Sequence, residues 1–250
     1  MMVHTEYQEG VALIKLDRGI TNALNQEILN ELLESLEIVK KDSKVRSIVL
    51  SSSNDKFFCI GYDVKELYTA SREEFSIFFK TFNKVCMNLY TLPKPTVAAI
   101  TGHAIAGGCA LALCCDYRFI AEGRKLMGFN VLKLGLPVPY LINCILQRTV
   151  GTLITRDIAD TGELYPPEQL LKMGMVDHVL PLTDIVPYSL EKAQRLGALP
   201  QKSYAITKRD RVEWIEIQVL EQLAEKELFF VECFFSDEAR SLFKEAMEKF

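Results

Sequence analysis

Apolar residues along this chain switch between two spacings. Residues 10–16 (GVALIKL) and 46–51 (RSIVLS) are short apolar runs rich in β-branched side chains, and they read as strands. Between them Leu29, Leu32, Leu33, Leu36 and Val39 recur every three or four residues, which is the period of one helix face. The same reading predicts a short helix over 63–68 and a longer one over 72–91, with Phe75, Phe78, Phe79 and Phe82 on one side. A buried strand follows at 96–100, set off by Pro93 and Pro95. Further on it predicts a helix over 108–115, strands at 117–121 and 125–129, a helix over 140–150 and a strand at 176–180. Alternation of this kind implies a layered α/β fold.

Past Pro181 the strand signal stops and the composition turns to Glu, Lys and Leu at helical spacing. Two units are therefore expected, residues 1–183 and residues 184–250. Within the second, FFVECFF puts Phe229, Phe230, Cys233 and Phe234 on one helical face, a pattern that fits core or an oligomer contact. The twenty uncharged residues between Pro95 and Asp116 match the length of a membrane span, but Gly102, His103, Gly107 and Gly108 interrupt them. A strand, a tight turn and a buried helix explain that interruption, so no membrane partner is expected.

Charge and composition narrow the classes. Across 250 residues, 29 Lys and Arg face 33 Asp and Glu, a net charge of −4 that offers nothing to a phosphate backbone. Nucleic acid is not an expected partner. The seven cysteines form no C-x-x-C pair and the three histidines stand apart, which argues against a disulfide framework and against a metal site. MMVHTEYQEG has neither a basic nor an apolar leader region, and AMEKF is no peroxisomal tripeptide; a cytoplasmic location is expected.

No P-loop, no dinucleotide fingerprint and no nucleophile elbow is present. Two turns stand out instead: Phe57-Phe58-Cys59-Ile60-Gly61-Tyr62-Asp63 and Gly102-His103-Ala104-Ile105-Ala106-Gly107-Gly108, each where a strand hands over to a helix. A helix start leaves N–H groups without partners and carries partial positive charge, so two such ends aimed at one point can hold a developing oxyanion. Close strand-to-helix packing is the other use of such glycines.

FFCIGYDVKEL, LPKPTVAAITGHAIAGGCALALCCDYRFI, NVLKLGLPVPYL and PPEQLLKMGMVDHVLP, in this order and spacing, resemble the enoyl-CoA hydratase/isomerase (crotonase) family, especially its mitochondrial-type 3,2-enoyl-CoA isomerases. The resemblance covers nearly the whole chain. It implies an α/β spiral of ββα units with a helical C-terminal trimerisation region, assembling as a homotrimer or as a hexamer built from two trimers. It implies an acyl-CoA thioester as substrate or ligand and no other cofactor. The enolate of that thioester would sit between the backbone N–H groups of Tyr62 and Gly107, and the CoA would run along Ala23, Leu24, Ile60, Asp63 and Lys65.

The chain departs from the family where the acid and base belong. The two glutamates of the hydratases align with Ala110 and Val131, and the isomerases' single glutamate aligns with Val131. Ordinary hydration needs one group to activate water and another to place a proton, so it is not expected here. Tyr140, Asn130 and Glu66 are the side chains considered in their stead. Plainer readings exist for Tyr140, as a half-buried aromatic, and for Glu66, like Asp63, as part of a helix start; Asn130 flanks the vacant position at Val131. Asp116 and His103 are expected to be structural. The expectation is an isomerase- or hydratase-like enzyme acting through enolate stabilisation; a decarboxylase without the glutamate pair, or a non-catalytic acyl-CoA-binding protein, are the alternatives.

Overall fold

The computed structural model describes residues 1–248. In chain order its elements are β1 (Val3–Gln8), β2 (Val11–Leu16), α1 (Gln26–Lys41), β3 (Ser47–Ser52), β4 (Phe57–Cys59), α2 (Val64–Tyr68), α3 (Arg72–Thr91), β5 (Thr96–Ile100), β6 (His103–Ile105) and α4 (Gly107–Leu113). There follow β7 (Tyr117–Ala121), β8 (Met127–Gly128), a 3-10 turn (Val131–Leu134), α5 (Tyr140–Thr161), β9 (Leu164–Tyr165), α6 (Pro167–Met173), β10 (His178–Leu180), α7 (Leu182–Gly197), α8 (Gln201–Phe234) and α9 (Asp237–Glu248).

Two mixed sheets result. The larger runs β1-β2-β3-β5-β7-β10, parallel except for the β1–β2 hairpin; the smaller runs β4-β6-β8-β9, with β8 and β9 antiparallel. Register across the larger sheet aligns Leu13, Val49 and Val97. These three belong to a small core with Phe119, Ile185 and Ala193 beneath α7, while Ile14, Leu16, Ile48 and Leu50 enter the main core. Both faces are therefore covered, which is why the strands read as unbroken apolar runs and not as alternating ones.

The sequence expectations differ from the structure at several places. The strand expected over 125–129 is only Met127–Gly128; the Leu126 carbonyl still accepts from the Ala104 N–H of β6 at 2.9 Å, but its own N–H goes to the His103 ring and not to a neighbouring strand. The helix expected over 140–150 continues to Thr161 past a break at Gly151, whose φ of 78° no helix interior shares. Strands β1, β4, β6 and β9 carried no separate signal, being short or half-exposed. Of the FFVECFF face, Phe230 and Phe234 are buried but Phe229 is 46% exposed, since it lies one residue round the helix from them. The expected division at 183 falls in the first turn of α7, which buries Ile185 and Ala193 on the larger sheet. Among the described residues no helix is long and apolar enough to cross a membrane, and no cluster of His, Cys, Asp and Glu is built to hold a metal.

Candidate active site

The first turn leaves β4 at Cys59 and enters α2 through Asp63, whose carboxylate caps the helix by accepting from the Glu66 N–H at 3.1 Å. Gly61 takes φ 102°, a value an L side chain rarely adopts. The segment Thr21–Leu24 zips onto this turn: Leu24 N–H donates to the Gly61 carbonyl (2.7 Å), Asp63 N–H to the Leu24 carbonyl (2.8 Å) and Ile60 N–H to the Thr21 carbonyl (3.0 Å). The Cys59 thiol accepts from the Gly61 N–H at 3.4 Å, and burial pushes its pKa up to about 12, so it stays protonated.

The second turn leaves β6 and enters α4 through Ala106, a non-glycine residue held at φ 50°, ψ −108°. The turns touch. A Cβ placed on Gly61 would lie 3.1 Å from the Gly107 nitrogen, and one on Gly107 would lie 3.2 Å from the Gly61 Cα and 3.3 Å from Tyr62 Cε1. Among the described residues, neither the Tyr62 N–H nor the Gly107 N–H has an acceptor. Two helix starts thus leave two free amides side by side, a combination suited to an oxyanion.

Both residues line a cavity of about 590 Å³. Ala110, Val131, Leu134 and Leu136, together with Phe82, Phe230, Phe234 and Phe243, make its lining largely apolar. Polar groups gather at Arg18, Asp63 and Lys65. Arg18 holds Asp63 at 2.7 Å and Glu66 at 3.2 Å, and it also donates to the Ala23 carbonyl at 2.9 Å. The Tyr62 ring meets Phe78 and Phe82 edge-on at 4.9 and 5.1 Å. Its hydroxyl is buried without a partner among the described residues; burial, and secondarily Cys86, raises its pKa well above the ordinary tyrosine value.

The structure brings Ala23, Ile60, Tyr62, Asp63, Lys65, Gly107, Ala110, Asn130 and Val131 together around this cavity. Leu24 does not line the cavity: its buried side chain packs behind Gly107, where an added Cβ would lie 2.9 Å from Leu24 Cδ1, and its backbone ties Thr21–Leu24 to the first turn. Glu66 is turned away by Arg18 and by Asn25 Nδ2, 2.9 Å from its carboxylate. Tyr140 is also off the cavity, because α5 points it at α8, where Gln218 Nε2 donates to its hydroxyl at 3.4 Å. Asn130, at the start of the 3-10 turn, makes no capping bond and lines the cavity. His103 accepts from the Leu126 N–H at 3.1 Å and packs on Phe57; burial, then Lys125 and Lys56, lowers its pKa. Arg18 and the residues of α9 escaped sequence reasoning. No local motif marks an arginine that reaches its partners across 45 residues of chain.

Among the described residues that line the cavity, Asp63 is the only carboxylate, and it is already paired. The fold and site together define a protein with two sheets, two converging helix starts and an apolar cavity beside them. The model of the enoyl-CoA hydratase/isomerase family matches residues 6–250, and the chain belongs to that family, with its crotonase fold. The mouse mitochondrial enoyl-CoA delta isomerase 1 is 33% identical over 209 residues, covering 83% of this chain and 72% of that protein. The crotonyl-CoA hydratase of Syntrophomonas wolfei is 26% identical over 245 residues, covering 98% of this chain and 94% of that one. The crystal structure of human mitochondrial delta3-delta2-enoyl-CoA isomerase superposes with a TM-score of 0.96 at 28% identity, over 100% of this chain and 98% of that one.

Proposed function

We propose that this chain binds an acyl-CoA thioester with its carbonyl oxygen between the N–H groups of Tyr62 and Gly107, and that it stabilises the thioester enolate there. The observation that carries this reading is the pair of free amides on touching turns at the cavity wall. Such a donor contributes roughly 3–4 kcal/mol to a transition state where one has been removed and measured. Ala23, Ile60, Asp63 and Lys65 border the path of the CoA, with Arg18 as the cation that offsets Asp63. In this reading residues 1–183 form the acyl-CoA-binding core, to which α8 and α9 add cavity wall. The outward face of α8, with Trp214, Ile217 and Leu220 more than half exposed, supports a homotrimer or a hexamer of two trimers for residues 184–250.

An isomerase-like proton shift needs a base, whereas decarboxylation of a 2-carboxyacyl-CoA does not. There the electron pair of the C2–carboxylate bond becomes the enolate, CO2 leaves, and water supplies the proton to C2. The apolar wall at Ala110 and Val131 favours a second reading, a non-catalytic acyl-CoA-binding protein. Calorimetry with a saturated acyl-CoA and the infrared carbonyl stretch of the bound thioester test the shared part: a downshifted stretch is expected. A bound thioester with an unshifted carbonyl, or no binding, rejects the oxyanion assignment. Turnover of a 3-enoyl-CoA or a 2-carboxyacyl-CoA by the wild type selects the enzyme; binding without turnover of either selects the second reading.

A further inference from the structure

The inward side of FFVECFF has no part in the amide pair, yet it reaches the cavity. Phe230 and Phe234 line it, and each is backed by a ring of α3 that does not: Phe230 stacks on Phe79 at 3.9 Å and Phe234 on Phe75 at 3.6 Å, within 8° and 14° of parallel. Phe75 and Phe79 are themselves buried. Asn83 on α3 donates to Glu227 on α8 at 2.9 Å, a buried bond that fixes the register of the two helices. A ring with another ring packed behind it cannot retreat from the cavity without displacing that ring as well. Tyr62, one of the two amide donors, lies edge-on to Phe230 at 6.5 Å.

Resting on the acyl-CoA reading above, we propose that Phe230 is a specificity-determining residue: its ring, braced by Phe79, is the end stop that sets the longest straight acyl chain the cavity admits. A chain that stops short of the ring gains apolar contact with every added methylene. A chain that would reach past it must displace a two-deep stack. The ligand class is a straight, unfunctionalised acyl group, because a hydroxyl against Val131, Leu134 or Leu136 would have no side-chain partner.

The test is calorimetric affinity for saturated acyl-CoA thioesters of increasing length, from butanoyl to hexadecanoyl, with wild type, Phe230→Leu, Phe230→Ala, Phe230→Trp and the exposed-position control Phe229→Leu. Wild-type affinity is expected to rise about fourfold per methylene, reach a maximum, and then drop by about tenfold or more. The maximum is expected to move to longer chains in Phe230→Leu and Phe230→Ala, to shorter ones in Phe230→Trp, and to stay in place in Phe229→Leu. If Phe230→Ala does not fold, the Leu and Trp variants decide. A maximum that ignores all the folded Phe230 variants, or a wild type with no maximum through hexadecanoyl, overturns the inference. A wild type that binds no acyl-CoA at all overturns the acyl-CoA reading itself, and this inference with it.

Discussion

Gly108 is pressed against the carbonyl of Cys59: a Cβ added to it would sit 2.1 Å from that oxygen and 2.8 Å from the Cys59 Cβ. Backbone cannot retreat as a side chain can, so this contact sets the distance between the turns that carry Tyr62 and Gly107. Gly108→Ala is expected to destabilise the fold by about 1–3 kcal/mol, the usual result of overpacking, and to weaken acyl-CoA binding as the turns separate. Gly123→Ala, at φ 89° in open space, should cost stability but leave acyl-CoA affinity unchanged. Denaturant midpoints and calorimetry check both; equal affinities for Gly108→Ala and wild type would show that the spacing does not matter.

Ala106 stores strain. Its φ of 50° with ψ −108° lies outside the common regions for a residue with a Cβ, a condition that costs about 1–3 kcal/mol. Ala106→Gly relieves it and gives back about 0.4–1 kcal/mol through the freer unfolded chain. A net gain of about 1 kcal/mol is expected in urea unfolding. A variant less stable than wild type would mean that the conformation is not strained in its setting.

The apolar wall at Ala110 and Val131 has a chemical consequence. Hydration of crotonyl-CoA by the wild type is expected to fall short of ordinary enzyme rates by at least the ~10²–10⁴ that one missing general acid or base removes. Val131 faces the cavity, so Val131→Glu is expected to confer isomerisation of a 3-enoyl-CoA, and adding Ala110→Glu to confer hydration. Spectrophotometric assay of the three proteins checks this, and brisk wild-type hydration, roughly 1–10³ per second, would reveal an acid and base elsewhere.

Asp116 joins α4 to α8. Its carboxylate, 4% exposed, accepts from Lys208 Nζ at 2.8 Å and from the Thr96 N–H at 2.9 Å, and it pairs with Arg211. Burial raises the Asp116 pKa, but Lys208 and Arg211 outweigh it and hold the value below that of a free aspartate. A folded pKa below the unfolded one gives stability that is complete above the unfolded value of about 3.9 and is lost as pH falls through the folded value. Asp116→Asn is expected to cost about 3–5 kcal/mol at neutral pH, since it leaves buried Lys208 uncompensated, and to flatten this acid limb. Urea midpoints measured from neutral pH downward check it; an unchanged limb would assign acid sensitivity to other carboxylates.

The sequence by itself determined the α/β alternation, the helical C-terminus and the two glycine turns, because each depends on local period or on a backbone that only glycine permits. Of the five residues of α1 that the spacing picked out, Leu29, Leu32, Leu36 and Val39 are buried and Leu33 is half-buried, while Ile28, also buried, was not among them. Ala110 and Val131 were legible as apolar positions, and the structure puts both in the cavity. What the sequence left open depended on long-range placement. Leu24 was expected beside the CoA and Tyr140 was considered for the site although a half-buried aromatic was the plainer reading; the zipper with Gly61 turns the first into the core and the α5–α8 packing turns the second away. Arg18 had no local mark at all. Most of all, whether Phe230 and Phe234 met a subunit, a core or a ligand was undecidable from helical spacing, which says that a face is apolar and not what lies opposite it. Only the docking of α8 on α3 decided that, by bringing Phe75 and Phe79 behind those rings and leaving the cavity in front.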